Sequence, residues 1–249
     1  MSRRLHRFVA ALVTLVVLSW TPAASAGVIL LSGDGNITTG LTDPGNQQFF
    51  RNILSGDTVL ILQNSLIPTF DSFVDNFYDS QAGVSSSLFA GPVTDAALSG
   101  IDLFVSILPD APFDASEIDA LESFLMGGGS IFFLGENSDN LFTPYNNAIN
   151  AALDALGSGM QILPNSTFDG SGHDAFPYQI LPDPFTAGVA TFRYAAPSQI
   201  TGGTTLVTGV EGQPFVAYER NGGPVPTPEP GTILLLGVGL LAAHRRRRA

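Results

Sequence analysis

The chain contains no cysteine and no lysine. Without a thiol there is no cysteine nucleophile, no thiolate metal site and no disulfide, so an exported form must be held together by its core alone. Without lysine there is no Schiff-base chemistry and no P-loop grip on phosphate. All ten basic residues are arginine, and seven stand at the extremities: Arg3, Arg4 and Arg7 at one end, Arg245, Arg246, Arg247 and Arg248 at the other. Only Arg51, Arg193 and Arg220 are left between them, while of 22 acids only Glu229 falls outside that central body, which therefore carries a net charge of about −18. Such a surplus repels nucleic acid and anionic lipid and favours solubility, so nucleic-acid binding is excluded. Histidine is scarce too, with His173 alone between residues 27 and 225.

What is present in quantity is apolar. Hydrophobic residues make up 45% of the chain, too many for a disordered polymer despite the charge. Some 200 residues rich in Val, Ile, Leu and Phe are enough for one domain with a sizeable core.

The extremities read separately from this body. Arg3, Arg4 and Arg7 precede the apolar stretch Phe8 to Leu18, and Ala24-Ser25-Ala26 precedes Gly27. That is the charged start, apolar middle and small-residue exit of a secretory signal peptide, residues 1–26, cut by signal peptidase between Ala26 and Gly27. A permanent signal anchor is the alternative; the short apolar stretch and the well-formed exit disfavour it. At the other end three unlike pieces follow in order across 224–249: a break containing Pro228, Glu229 and Pro230, an uncharged apolar run from Thr232 to Ala243, and the four arginines. As helix the run is roughly 18 Å long against a hydrocarbon core of about 30 Å, so it is a short transmembrane segment. Arginines belong on the cytoplasmic side, so both ends place the body outside the inner membrane.

The order and residues of Pro226 to Ala249 resemble the PEP-CTERM sorting signal of Gram-negative bacteria. The resemblance implies that this tail is a transient anchor in the inner membrane, cut near Pro228-Glu229-Pro230 by the membrane protease exosortase. It also implies a final place at the cell surface or beyond it, and an association with exopolysaccharide, with which the sorting system travels.

Within the body, Gly27 to Ser32, Thr58 to Leu62, Ile101 to Leu108 and Ser130 to Leu134 are short continuous apolar runs of the kind buried on both faces of a parallel sheet. Between them lie helix signals. Asp43 is an N-cap with Pro44 behind it, opening a helix that buries Phe49, Phe50, Ile53 and Leu54. Near Pro68 a second helix begins, with Phe70, Phe73, Val74 and Phe77 predicted on its inner face. Residues Asp79 to Thr94 are rich in serine and glycine and read as loop. Asp114 and Glu117 form a capping box ahead of Ile118, Leu121, Phe124 and Leu125, and three glycines from Gly127 end that helix. Thr143 and Pro144 open a fourth, closed by Gly157. The fold class is therefore α/β: a doubly wound, mostly parallel sheet with helices on both faces over 27–223. From 166 to 223 the texture turns β-rich, with short runs at Val189 to Tyr194, Thr204 to Val207 and Pro214 to Tyr218, expected to complete the same sheet. A short apolar helix closes the chain.

In such a sheet ligands gather beyond the carboxyl ends of the strands. Those positions carry Asp34 and Asn36, then Gln63 and Asn64, then Asp110, then Glu136, Asn137 and Asp139. Asp34, Asn36, Glu136 and Asn137 are the candidate ligand-binding residues, and an acidic, amide-rich crest suits a cation or a polyol better than a phosphate. Asp34 with Asn36, and Asp169 with Asp174, each offer oxygen ligands at short spacing as a calcium site would, although neither fits the EF-hand pattern. No cofactor is otherwise expected. His173 has neither a partner for zinc nor a nucleophile elbow beside it and reads as a loop histidine.

The stretch from Ile101 to Asn137, with SEIDALESFLMGGGSIFFLGEN at its centre, resembles the class I glutamine amidotransferase-like superfamily; LPDPFTAGVATFRY and GQPFVAYERNGG are similar to the closing strands of its non-enzymatic relatives. Enzymatic members carry a cysteine on the turn after the strand that follows the glycines. Here that turn is Gly135-Glu136-Asn137, and a carboxylate cannot perform the thiol's acyl transfer. The resemblance thus implies the fold without the activity. The expected function is that of an exported surface protein with a non-catalytic binding or structural domain and no catalytic residues. The alternatives are an envelope hydrolase using crest carboxylates such as Asp34 and Glu136, and a permanently anchored membrane protein.

Overall fold

The computed structural model describes residues 27–138, 141–170 and 172–221. The signal-peptide residues with Ala24 and Ala26, Asp139, and the whole sorting segment with Pro228, Glu229, Pro230, the apolar run and Arg245 to Arg248 lie outside them.

The four apolar runs are strands at the centre of a seven-stranded sheet. In chain order its strands are β1 (Gly27–Ser32), β2 (Thr58–Leu62), β3 (Ser85–Phe89), β4 (Leu103–Ile107), β5 (Ser130–Leu134), β10 (Thr204–Thr208) and β11 (Pro214–Asn221). In space they run β10-β11-β1-β5-β4-β2-β3. The five from β1 to β3 are parallel, whereas β11 joins β1 and β10 joins β11 antiparallel. The remaining strands form two small antiparallel ribbons, β6 (Gln161–Thr167) with β9 (Ser198–Thr201) and β7 (His173–Ala175) with β8 (Phe192–Tyr194). The β-rich region therefore only partly completes the main sheet.

Five α-helices pack on the sheet: α1 (Pro44–Asn52), α2 (Pro68–Asp79), α3 (Asp95–Leu98), α4 (Ala115–Met126) and α5 (Thr143–Ala155). Each predicted start is present. Asp43 Oδ1 accepts the Gly45 N–H ahead of α1, and the Asp114–Glu117 capping box closes in both directions ahead of α4. Because strand side chains alternate between faces, β1 sends Val28 and Leu30 to one core and Ile29 and Leu31 to the other. The first core takes Phe49 and Phe50 from α1 and Phe70, Val74, Phe77 and Tyr78 from α2. The second takes Leu98 from α3, Leu121 and Leu125 from α4, and Ile149 and Leu153 from α5.

Two expectations are corrected. The segment read as loop from Asp79 to Thr94 contains β3, an edge strand whose Ser85-Ser86-Ser87 start escaped an apolar criterion. An edge position needs little hydrophobic surface, since one side and part of a face meet water. On α2, Phe73 is 44% exposed and Asp71 is buried instead. The buried stripe includes Tyr78, whose hydroxyl donates to the Phe50 carbonyl at 3.0 Å, and this rotates the helix away from Phe73.

Candidate functional site

The connection leaving β1 goes to α1 on one face, while the connection leaving the adjacent β5 goes to α5 on the other. Strands β1 and β5 thus flank a topological switch point, where a crevice opens in sheets of this kind. Asp34 follows β1 and Glu136 follows β5.

Ser32, the last residue of β1, fixes the turn through its hydroxyl, which donates to the Asp34 carbonyl and accepts the Asp34 N–H. Asp34 then caps a 3₁₀ turn over Gly35–Thr42, its Oδ1 accepting the Asn36 N–H at 2.8 Å. Its Oδ2 accepts the Ala195 N–H, also at 2.8 Å. Asn36 Nδ2 lies 3.0 and 2.9 Å from Glu136 Oε1 and Oε2 and 3.3 Å from the Ala195 carbonyl. Glu136 Oε1 also accepts from the Asn137 N–H and Nδ2. The structure thus brings together Asp34, Asn36, Glu136 and Asn137.

The backbone beneath this cluster is held just as tightly. Gly135 N–H donates to the Ser32 carbonyl at 2.8 Å, and a Cβ at Gly135 would stand 2.6 Å from Asn146 Oδ1. Asn146 brackets the Glu136 peptide, accepting its N–H and donating to its carbonyl, which also accepts from Ser198 Oγ. Asn46 does the same for Arg193, accepting its N–H at 2.7 Å and donating to its carbonyl at 2.9 Å. Asn46, Asn146, Ser198 and Ala195 were not marked in sequence, because bonds to distant backbone leave no pattern of spacing.

Both carboxyls are buried, Asp34 at 0% and Glu136 at 1% exposure. Burial disfavours the charged form and pushes Asp34 up to about 7 against the pull of the Ala195 and Asn36 N–H groups. Glu136 rises to about 8, through burial first and repulsion from Asp34 second, with the Asn137 bonds opposing. Two such groups side by side retain a proton at neutral pH.

The second pair of proposed calcium ligands sits elsewhere. Asp169, at φ 59°, accepts the Tyr194 hydroxyl at 2.7 Å and the Val210 N–H at 2.8 Å through Oδ2. Asp174 faces Arg193 at 3.5 Å on the surface. His173 stacks on the Tyr194 ring, centroids 5.7 Å apart. Among the described residues no group of three or more His, Cys, Asp or Glu side chains is placed to hold a metal ion.

The fold is mixed α/β with a mostly parallel seven-stranded sheet. A family model described as the PEP-CTERM protein-sorting motif matches residues 226–248, which supports a protein exported to the cell surface and processed by exosortase. No curated protein sequence matches the chain. Among solved structures, one titled mmIFT52 N-terminal domain aligns at 16% identity and TM-score 0.46, over 60% of this chain and 76% of that one. Another, titled the structure of IMPa from Pseudomonas aeruginosa in complex with an O-glycopeptide, aligns at 17% identity and TM-score 0.34 over 55% of this chain; the chain spans 16% of that protein's length. At these TM-scores neither carries an argument. Among the described residues no helix is long and apolar enough to cross a membrane.

Proposed function

We propose that the body is a non-catalytic α/β module, delivered outside the inner membrane by its two terminal signals and retained at the cell surface or in the surrounding matrix. The observation that carries this reading is the state of the crest carboxyls. Every oxygen of Asp34 and Glu136 accepts a hydrogen bond from the protein's own amides, and neither residue presents surface to solvent. Their bonds run to Ala195 and Asn36, so the pair clamps the β-rich region onto the sheet. The sorting signal favours exopolysaccharide as the surrounding material.

The class I glutamine amidotransferase-like superfamily is the proposed relative of the body, on the sequence pattern from Ile101 to Asn137, which folds as the parallel pair β4 and β5 joined by α4. A carboxylate in place of the thiol removes that superfamily's amidotransferase chemistry.

A hydrolase with Asp34 and Glu136 as its pair has one observation in its favour: Glu136 rises to about 8, as a general acid requires. A general acid must also reach the leaving group, and at 1% exposure Glu136 does not. The test is hydrolysis of polysaccharide and peptide substrates by the mature protein, with Glu136→Gln alongside. Turnover abolished by Glu136→Gln in a folded variant would establish the enzyme and remove the clamp reading.

A further inference from the structure

A second switch point lies between β2, whose connection leaves to α2 on one face, and β4, whose connection leaves to α4 on the other. Past the ends of these strands the two chain segments run beside each other. Ser65 pairs with Pro109 in an isolated antiparallel bridge, Asp110 N–H donates to the Asn64 carbonyl at 2.9 Å and Leu66 N–H to the Leu108 carbonyl at 3.2 Å. Leu108 holds a φ of 44° to make the turn, a left-handed conformation that a branched side chain rarely adopts without support from its surroundings.

Over these segments sits Asp71, on the first turn of α2 and 0% exposed. Its Oδ2 accepts the Ser65 hydroxyl at 2.7 Å, while Oδ1 has no partner. Asn64 Oδ1, one residue before Ser65, is also buried without a partner. Asp110, exposed at the edge, is close enough for its charge to act on Asp71. Two buried side-chain oxygens of this crest thus lack a donor, one on Asp71 and one on the neighbour of the serine that binds it, and a third oxygen-bearing side chain, Asp110, acts on Asp71. The clamp at Asp34 and Glu136 is the opposite case, with every oxygen supplied.

The chain's own cations cannot make good the deficit. Lysine is absent, and the three arginines among the described residues are engaged elsewhere: Arg51 on Gln81 and Gln47, Arg193 beside Asp174, Arg220 over the Phe185 and Tyr218 rings. A buried carboxylate is stable only when paired, hydrogen-bonded, metal-bound or neutralised by a proton. We propose that the crest between β2 and β4 is a cation site, with Asp71 Oδ1 and Asn64 Oδ1 as ligands and Asp110 at its mouth, and that calcium is its ion. An all-oxygen set of carboxylate and amide on irregular loops suits calcium, which accepts variable geometry, better than magnesium, which demands a regular octahedron. Burial together with the Asp110 charge pushes Asp71 up to about 7 without an ion; a bound cation would hold it ionised.

The experiment is calorimetric titration of the mature protein with calcium chloride after chelator treatment, paired with melting curves. The expected result is saturable uptake of about one ion per chain with a rise in Tm, weakened about tenfold or more by Asp71→Asn. Asp110→Asn should weaken it more modestly, and Asp169→Asn, in the turn between β6 and β7, should leave it intact. Should Asp71→Asn not fold, Asn64→Ala carries the same decision. Absence of saturable uptake overturns the proposal. So does uptake that survives Asp71→Asn or Asn64→Ala undiminished, since that would be diffuse attraction to an acidic surface.

Discussion

Asn36 Nδ2 spans both carboxylate oxygens of Glu136, at 3.0 and 2.9 Å, across a separation of 100 residues in sequence. One amide thereby ties the turn after β1 to the turn after β5, and its third contact, the Ala195 carbonyl, ties both to the β-rich region. Removing it strands a buried carboxyl without that donor. Asn36→Ala should therefore cost about 1–3 kcal/mol, the desolvation penalty of an unsatisfied buried polar group. Urea unfolding with an unchanged m-value would show that the loss is one of stability. A cost below a few tenths of a kcal/mol would remove the amide from any clamping role.

The same carboxyls make stability depend on pH, with a definite sign. Their pKa values are higher folded, about 7 for Asp34 and about 8 for Glu136, than the roughly 3.9 and 4.3 of free side chains. Between those limits the folded state binds more protons than the unfolded one, so stability falls as pH rises and levels off above about 8. Tm should accordingly be higher at pH 5 than at pH 8. General repulsion within the acidic body acts in the same direction, and Glu136→Gln separates the two, because the variant leaves the exposed carboxylates in place but loses one buried titrating group. The difference between the two Tm values should shrink in that variant. An unchanged difference would remove Glu136 from the effect.

Much of the fold was legible because the strands are continuous apolar runs and the helices announce themselves with Asp43-Pro44, Asp114 with Glu117, and Thr143-Pro144. What could be read less well depended on partners far away in sequence. Periodicity on α2 identified a stripe but centred it wrongly: Phe70, Phe73, Val74 and Phe77 fit one arc, while Phe70, Val74, Phe77 and Tyr78 fit another, centred roughly 40° further around the helix at 100° per residue. The structure settles on the second arc, with Tyr78 bonded to the Phe50 carbonyl and the buried Asp71 to the Ser65 hydroxyl. Strand β3 was missed because serines at an edge look like loop. At the crest, Asp34, Asn36, Glu136 and Asn137 were marked from strand ends, and the structure brings them together. Their burial was not visible, since a polar residue after a strand looks the same whether it faces solvent or Ala195.

Gly33 provides a test of how closely the β-rich region sits on the sheet. Its carbonyl accepts the Ser198 N–H at 2.8 Å, and a Cβ there would collide with the Ser198 carbonyl oxygen. That neighbour is backbone, held by β9, and does not swing aside as a long side chain would. Gly33→Ala should therefore destabilise by about 1–3 kcal/mol, the usual penalty of overpacking, and the loss should appear first as faster amide exchange in β9. A variant as stable as the parent would mean that β9 is not locked against the turn.

The two terminal segments are the proposed delivery signals of this body. The motif at 226–248 supports exosortase processing, and its three pieces divide the work physically. In the proposed sorting role, Pro228-Glu229-Pro230 marks where the protease cuts. On the same proposal the apolar run serves as a transient anchor, and the arginines hold its end on the cytoplasmic side until cleavage. Intact-mass measurement of the surface form should find new ends near Gly27 and near Pro228 to Pro230. Replacing Arg245 to Arg248 by glutamine removes the hold but not the cleavage sequence, so uncleaved chain should accumulate. Surface protein that keeps its full C-terminus would rule out cleavage at the proline break, and a glutamine variant processed as fast as the parent would mean that the arginines have no part in sorting.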